Sequence, residues 1–196
     1  MKIISFNVNS VRTRLHQLSA VIDKHQPEII ALQETKVQDH EFPGEAIEQM
    51  GYQVIYAGQK THYGVALLSR NNCSKPCYGF PEDSEDAQKR FIGGAVEVDG
   101  DKMLIFNGYF PQGESREHAI KFPAKQRFYA DLIKFLGAYD MTQSKLVVMG
   151  DYNIAPQDTD IGIGADNAKR WLKAGKTSFL PEERAWFQEL SALGLH

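Results

Sequence analysis

The stretch LVVMGDYNIAP, Leu146–Pro156, decides how the chain is read. Its first half is an apolar run of strand length, and its second half places Asp151 and Asn153 where that run stops, just after Gly150. Side chains alternate along a strand, so Asp151 and Asn153 share one side. A core strand ending in a carboxylate and a carboxamide has two explanations. It is the start of a turn, for which Asp, Asn and Gly are favoured, or it is one wall of a polar site on the rim of a sheet.

Working outward, the same chemistry recurs at other strand ends. Runs rich in Val, Ile, Phe and Tyr predict strands over residues 2–7, 28–33, 53–57, 64–70, 92–98, 103–110 and 145–151. The first ends SFNVN, with Asn7 and Asn9 on one side; the second ends IIALQET, with Glu34 just past the apolar run. The strand from Met103 ends IFNGYF, with Asn107 and Tyr109 on a shared face. Apolar stripes predict helices over residues 12–25, through Leu15, Leu18 and Ile22, and 125–136, through Phe128, Leu132 and Phe135. A third helix is expected after Pro181, with Glu182 and Glu183 in its first turn. Helices and strands alternate early and strands cluster in the middle, which predicts an α/β chain with mixed strand directions and helices on the outer faces.

At 196 residues with 42% hydrophobic and 24% charged content, one domain spanning residues 1–196 is the expectation. The formal net charge of -3 gives no global basic signature, so a nucleic-acid partner has to be held by a local patch or a metal. The N-terminus MKIISFNVNS does not have the form of a signal peptide, and no window is long enough for a membrane span. Cys73 and Cys77 have no second pair with which to bind zinc and are expected to be incidental thiols in a reducing, cytoplasmic setting.

Two carboxylates, Glu34 and Asp151, together with carboxamides and the Tyr109 phenol, form the oxygen-rich donor set that a hard cation such as Mg²⁺ prefers when it works on phosphate. Competing motifs fail. AGKTS lacks the leading glycine of a phosphate-binding loop, because Arg170 stands there, and GIGADN has Asn167 where a dinucleotide fingerprint needs its last glycine. Neither H-E-x-x-H nor G-x-S-x-G occurs. Two basic segments, REHAIKFPAKQR at 116–127 and KRWLKAGK at 169–176, suit a phosphate backbone, though a solvated helix face explains them equally well.

Longer motifs carry a family resemblance. SFNVNSVRTR, LQETKV, HYGVALLSR, NGYFPQGESREHAIKFPAK, MGDYNIAPQDTDIG and RWLKAGKTSFLPEER together closely resemble the exodeoxyribonuclease III family of the endonuclease/exonuclease/phosphatase superfamily, over nearly the whole chain. The resemblance implies a four-layer αββα sandwich and a Mg²⁺-dependent DNA-repair nuclease, with Mn²⁺ as an alternative metal. Its substrate would be double-stranded DNA, digested from 3′ ends or cut 5′ to abasic sites, and a monomer is expected. Residue by residue, Asn7, Glu34, Asp151 and Asn153 would form the metal site, and Tyr109, Asp151 and Asn153 would be catalytic. Arg90, Gln112 and Lys121 would contact DNA. Members of the family continue through further strands to a terminal Asp–His motif, whereas this sequence ends SALGLH. The sandwich is therefore expected to lack its C-terminal strands, and the 196-residue chain to show little nuclease turnover alone. Two other readings stay open: an inactive DNA-binding remnant, and a phosphatase of lipid or inositol phosphates, against which the NGYFPQGESREHAIKFPAK match weighs.

Overall fold

The strand Ile29–Gln33 is buried at every position, and its alternation shows why. Ile30 and Leu32 pack with Leu18, Ile22, Ile47 and Tyr52, while Ile29 and Ala31 pack with Ile92, Val96, Ile105 and Met149. One face meets helices and the other meets a second sheet, so the strand reads as a continuous apolar run instead of an alternating one.

The computed structural model describes residues 1–195; His196 lies outside the described residues. The chain divides into two compact units, Met1–Tyr109 with Ser144–Asp151, and Phe110–Gln143 with Tyr152–His196.

In the first unit the chain order is β1 Ile3–Asn7, α1 Val11–His25, β2 Ile29–Gln33, α2 Gly44–Gln49, β3 Gln53–Ala57, β4 Val65–Ser69, β5 Cys73–Tyr78, β6 Phe91–Val98, β7 Asp101–Tyr109 and β8 Leu146–Asp151. These strands form two four-stranded sheets, ordered β1-β2-β4-β3 and β5-β6-β7-β8. Each sheet is mixed. β1 runs parallel to β2 and β7 parallel to β8, while the remaining pairs are antiparallel. The inner faces of the two sheets share one apolar core, and α1 and α2 cover the outer face of the first sheet. A polar clasp crosses that core. Asn107 on β7, 0% exposed, donates from Nδ2 to the Leu32 and Ala66 carbonyls, each at 2.9 Å, and its Oδ1 accepts from Gln33 Nε2 at 2.8 Å. Asn107 and Tyr109 do share a face, but Asn107 sits inside the sandwich and not on its rim.

The second unit contains α3 Lys121–Leu136, α4 Ala165–Lys173 and α5 Pro181–Ser191. α3 packs on α5 through rings, with Phe122 and Tyr129 against Trp186, and Tyr152, outside α3, lies edge-on to Phe187 of α5. Pro181 opens α5, and Glu183 in its first turn accepts the Leu180 N–H at 2.9 Å.

Among the described residues, one strand and two α-helices were not expected from the pattern. β5 carries Pro76 and a register shift between Ser74 and Cys77, which places it at an edge where a missing N–H is tolerated. α2 is only six residues long. α4 buries none of its residues and so has no core stripe to reveal it.

Candidate active site

Parallel pairing puts strand C-termini side by side. β1 and β2 end together with Asn7 opposite Gln33, the residue before Glu34, and β7 and β8 end together with Tyr109 opposite Asp151. Level ends in the second sheet require Gly150, whose φ is 141°. A Cβ there would lie 1.9 Å from the Gly108 carbonyl oxygen.

The four strand ends form one hydrogen-bonded cluster. Asn7 Nδ2 donates to Glu34 Oε1 at 2.9 Å and to Asp151 Oδ2 at 3.1 Å, so a single amide bridges the two carboxylates. Tyr109 Oη donates to Glu34 Oε1 at 2.8 Å, joining the two sheets at the rim. Lys36 Nζ lies 2.9 Å from Glu34 Oε2 and donates to Asn9 Oδ1 at 2.5 Å. The backbone is strained around the cluster: Asn9, Ser10, Glu34 and Lys36 have φ of 41°, 87°, 55° and 51°. Non-glycine residues in this region persist where their surroundings enforce it, and they concentrate at functional sites.

Burial by itself would raise the Glu34 pKa. Hydrogen bonds from Asn7, Lys36 and Tyr109, together with the Lys36 charge, outweigh it, and the carboxyl is held below its ordinary value. Tyr109 moves the other way. Burial and its bond to Glu34 push the phenol well above its usual range, against the pull of Arg90, so it remains a proton donor. Arg90 lies between two rings, 4.2 Å from the Tyr63 centroid and 4.7 Å from that of Tyr109, and donates to the Tyr109 carbonyl at 3.0 Å. Desolvation lowers its pKa.

The donor set fits a hard cation. Among the described residues no group of three or more His, Cys, Asp or Glu side chains assembles, so the carboxylate contribution here is Glu34 and Asp151. Magnesium is commonly held by one or two carboxylates, with water and substrate phosphate filling its other positions. Asn7 turns its nitrogen, not its oxygen, toward both carboxylates, and its Oδ1 accepts the Asn9 N–H at 3.1 Å. Positive N–H charge thus already occupies the place between the two anions.

The remaining predicted residues belong to the second unit. Asn153, at φ 51°, donates from Nδ2 to the Phe110 carbonyl at 2.9 Å. Gln112 donates to Thr177 Oγ1 at 3.1 Å and accepts the Glu114 N–H at 2.8 Å. Lys121 is exposed and pairs with Glu114 at 2.5 Å. The basic segment 116–127 is largely neutralised, because Arg116 pairs with Glu182 and Lys125 is buried against Glu183. The segment 169–176 differs. α4 carries Lys169, Arg170 and Lys173 with Trp171 and Leu172 exposed beside them. Lys36 and Tyr63 had not been singled out. Lys36 lies within the LQETKV motif, two residues past Glu34, and Tyr63 lies within HYGVALLSR, just before the strand that starts at Val65.

The profile described as "Endonuclease/Exonuclease/phosphatase family" matches residues 4–193. The chain belongs to this family. Within it, the chain is 55% identical to exodeoxyribonuclease III of Haemophilus influenzae over 195 residues, covering 100% of this chain and 73% of that protein. Two solved members of the same fold are also similar. A 3′ phosphatase, NExo, from Neisseria, bound to a product DNA hairpin, superposes with a TM-score of 0.86 at 35% identity, covering 98% of this chain and 71% of that one. An AP endonuclease from Archaeoglobus fulgidus superposes with a TM-score of 0.83 at 29% identity, covering 97% and 70%.

Proposed function

We propose that this member of the endonuclease/exonuclease/phosphatase family is a DNA-repair nuclease of exodeoxyribonuclease III type, hydrolysing phosphodiester bonds of duplex DNA at 3′ ends and 5′ to abasic sites. The observation that carries the reading is the cluster of Asn7, Glu34, Tyr109 and Asp151, drawn from four strand ends of two sheets. The 55% identity to the Haemophilus exodeoxyribonuclease III supports the substrate class. The unbroken match over residues 4–193 supports treating the chain as one domain of the family. A monomer in a cytoplasmic setting completes the proposal; among the described residues no helix is long and apolar enough to cross a membrane.

Glu34 and Asp151 would hold the metal, with Asn7 keeping the two carboxylates apart yet adjacent, and Asn153 as a further oxygen donor. A bound Mg²⁺ or Mn²⁺ would supply Lewis-acid stabilisation of charge on the phosphoryl and leaving oxygens. Tyr109, kept protonated, would turn its single O–H from Glu34 Oε1 to a non-bridging phosphate oxygen when substrate is bound. Asp151 takes a proton from the attacking water, the general-base role. Asn153 orients water or phosphate through its carboxamide. Arg90, Gln112 and Lys121 are proposed as DNA contacts, with Arg90 acting at the backbone through the Tyr109 stack.

The test presents the purified chain with a duplex carrying an abasic-site analogue and, separately, an inositol polyphosphate, with and without Mg²⁺. Binding is read by anisotropy and strand breaks by gel. The expected result is preferential duplex binding that weakens with salt, with any break mapping 5′ to the abasic site or to the 3′ end. Preferential binding of the inositol polyphosphate would overturn the proposal.

A further inference from the structure

Lys125 and Glu183 are both 0% exposed and lie 2.6 Å apart within the second unit. A buried ion pair is a poor device for stability alone, because well-packed apolar side chains of similar volume serve as well or better. What this pair touches explains it. Lys125 Nζ, on α3, also donates to the Asn153 carbonyl at 2.7 Å and to the Gln112 carbonyl at 3.3 Å. Glu183, on α5, accepts the Ser178 and Leu180 N–H groups on its other oxygen, at 2.7 and 2.9 Å. A single ammonium therefore gathers the backbones of two residues assigned to substrate. Asn153 is held there at a strained φ of 51°, and Gly113, next to Gln112, has φ 88° and would bring a Cβ within 3.0 Å of Lys125 Cδ.

We propose that the Lys125–Glu183 ion pair is a positioning pair that fixes Asn153 and Gln112 for contact with the DNA phosphate backbone. The inference rests on the reading of Asn153 and Gln112 as substrate contacts. Neither Lys125 nor Glu183 touches substrate. Their effect passes through two carbonyls, and Lys125, in a basic segment that suits a phosphate backbone or a solvated helix face equally well, is withdrawn from both by its burial.

The test is a binding cycle with an abasic-analogue duplex in EDTA, read by anisotropy below the melting temperature of every variant. N153A and Q112A are each expected to weaken binding about 5-fold, the worth of one ordinary hydrogen bond. The double variant K125M/E183Q is expected to weaken binding at least as much, and adding N153A to it should change affinity by less than about 2-fold. Retention of the full N153A effect in the K125M/E183Q background would show that the pair is merely structural and would overturn the inference alone. No effect of N153A or Q112A in the natural background would overturn both the substrate reading and the inference. If K125M/E183Q fails to fold, the single variant E183Q, which keeps the side-chain shape, carries the same cycle. K125R, which keeps the charge and its donors, is expected to restore binding.

Discussion

Substituting Asn7 by Ala removes the amide that stands between Glu34 and Asp151. Its Nδ2 lies 2.9 Å from one carboxylate and 3.1 Å from the other, so the two oxygens are no more than 6.0 Å apart. A hydrogen bond to a charged group contributes about 1.5–3 kcal/mol when well buried, and about 1 kcal/mol each is reasonable at this partly exposed rim. Without the amide the two anions also repel, by ~0.7 kcal/mol at the dielectric of water and ~3 kcal/mol at an effective value of 20. Because both bonds lie at an exposed rim the screened end of the repulsion applies, and a loss of about 2–3 kcal/mol follows, which for a chain of this length lowers Tm by roughly 4–12 °C. Thermal melts in EDTA at neutral pH measure it. The sign with pH is fixed by Glu34, whose folded pKa is depressed from 4.5 with Asn7 among its donors. That stabilisation is fully present above the unfolded value and disappears as pH falls through the folded one, so the deficit of Asn7→Ala should shrink in acid. Mg²⁺ should raise the Tm of Asn7→Ala more than that of the unsubstituted chain, because the cation then neutralises the exposed pair. A variant that melts with the unsubstituted chain in EDTA, or whose deficit is the same at neutral and acid pH, would refute this account of the cluster.

Asn107→Ala breaks three hydrogen bonds of 2.8–2.9 Å inside the sandwich. The cost is about 3 kcal/mol, visible as a lower urea midpoint at unchanged slope. Gly150→Ala forces a Cβ against the Gly108 carbonyl at φ 141°, and a loss of at least about 3 kcal/mol is expected in the same assay. Burial raises the Cys77 thiol from 9.0 to about 11. At mildly alkaline pH its alkylation in the folded protein should be roughly 10²-fold slower than in urea, the ratio of thiolate fractions. Any stability from this shift is present below the unfolded value of 9.0 and lost as pH rises through about 11.

Seven strands were legible because each is an apolar run bounded by turn residues, and their observed limits differ from the expected ones by no more than two residues. β5 was not legible. Cys73–Tyr78 contains Pro76 and exposes most of its residues, so neither composition nor alternation marks it. The rim was legible as a set of polar strand ends, but parity tells only which residues share a face. It placed Asn107 with Tyr109 correctly and could not say that this face turns inward two residues before the strand's end. Lys125 and Glu183 read as an exposed base and a first-turn acid, since a buried ion pair between two helices leaves no periodic trace in either one. Lys36 escaped notice because it lies beyond the end of β2, where alternation no longer applies and a left-handed turn brings it back over Glu34.

The Asn107 clasp also sets a tolerance. Apolar faces slide over one another by an ångström or more with little change in buried area, so a sandwich core alone leaves the relative height of its two sheets loosely defined. Hydrogen bonds forfeit much of their strength beyond a few tenths of an ångström, and those of Asn107 span the gap at 2.8–2.9 Å to Gln33, Leu32 and Ala66. Gln33 immediately precedes Glu34, and Asn107 stands two residues before Tyr109, so the clasp acts like the indexing pin of a machine. It sets the sheets to the one offset at which Tyr109 Oη reaches Glu34 Oε1.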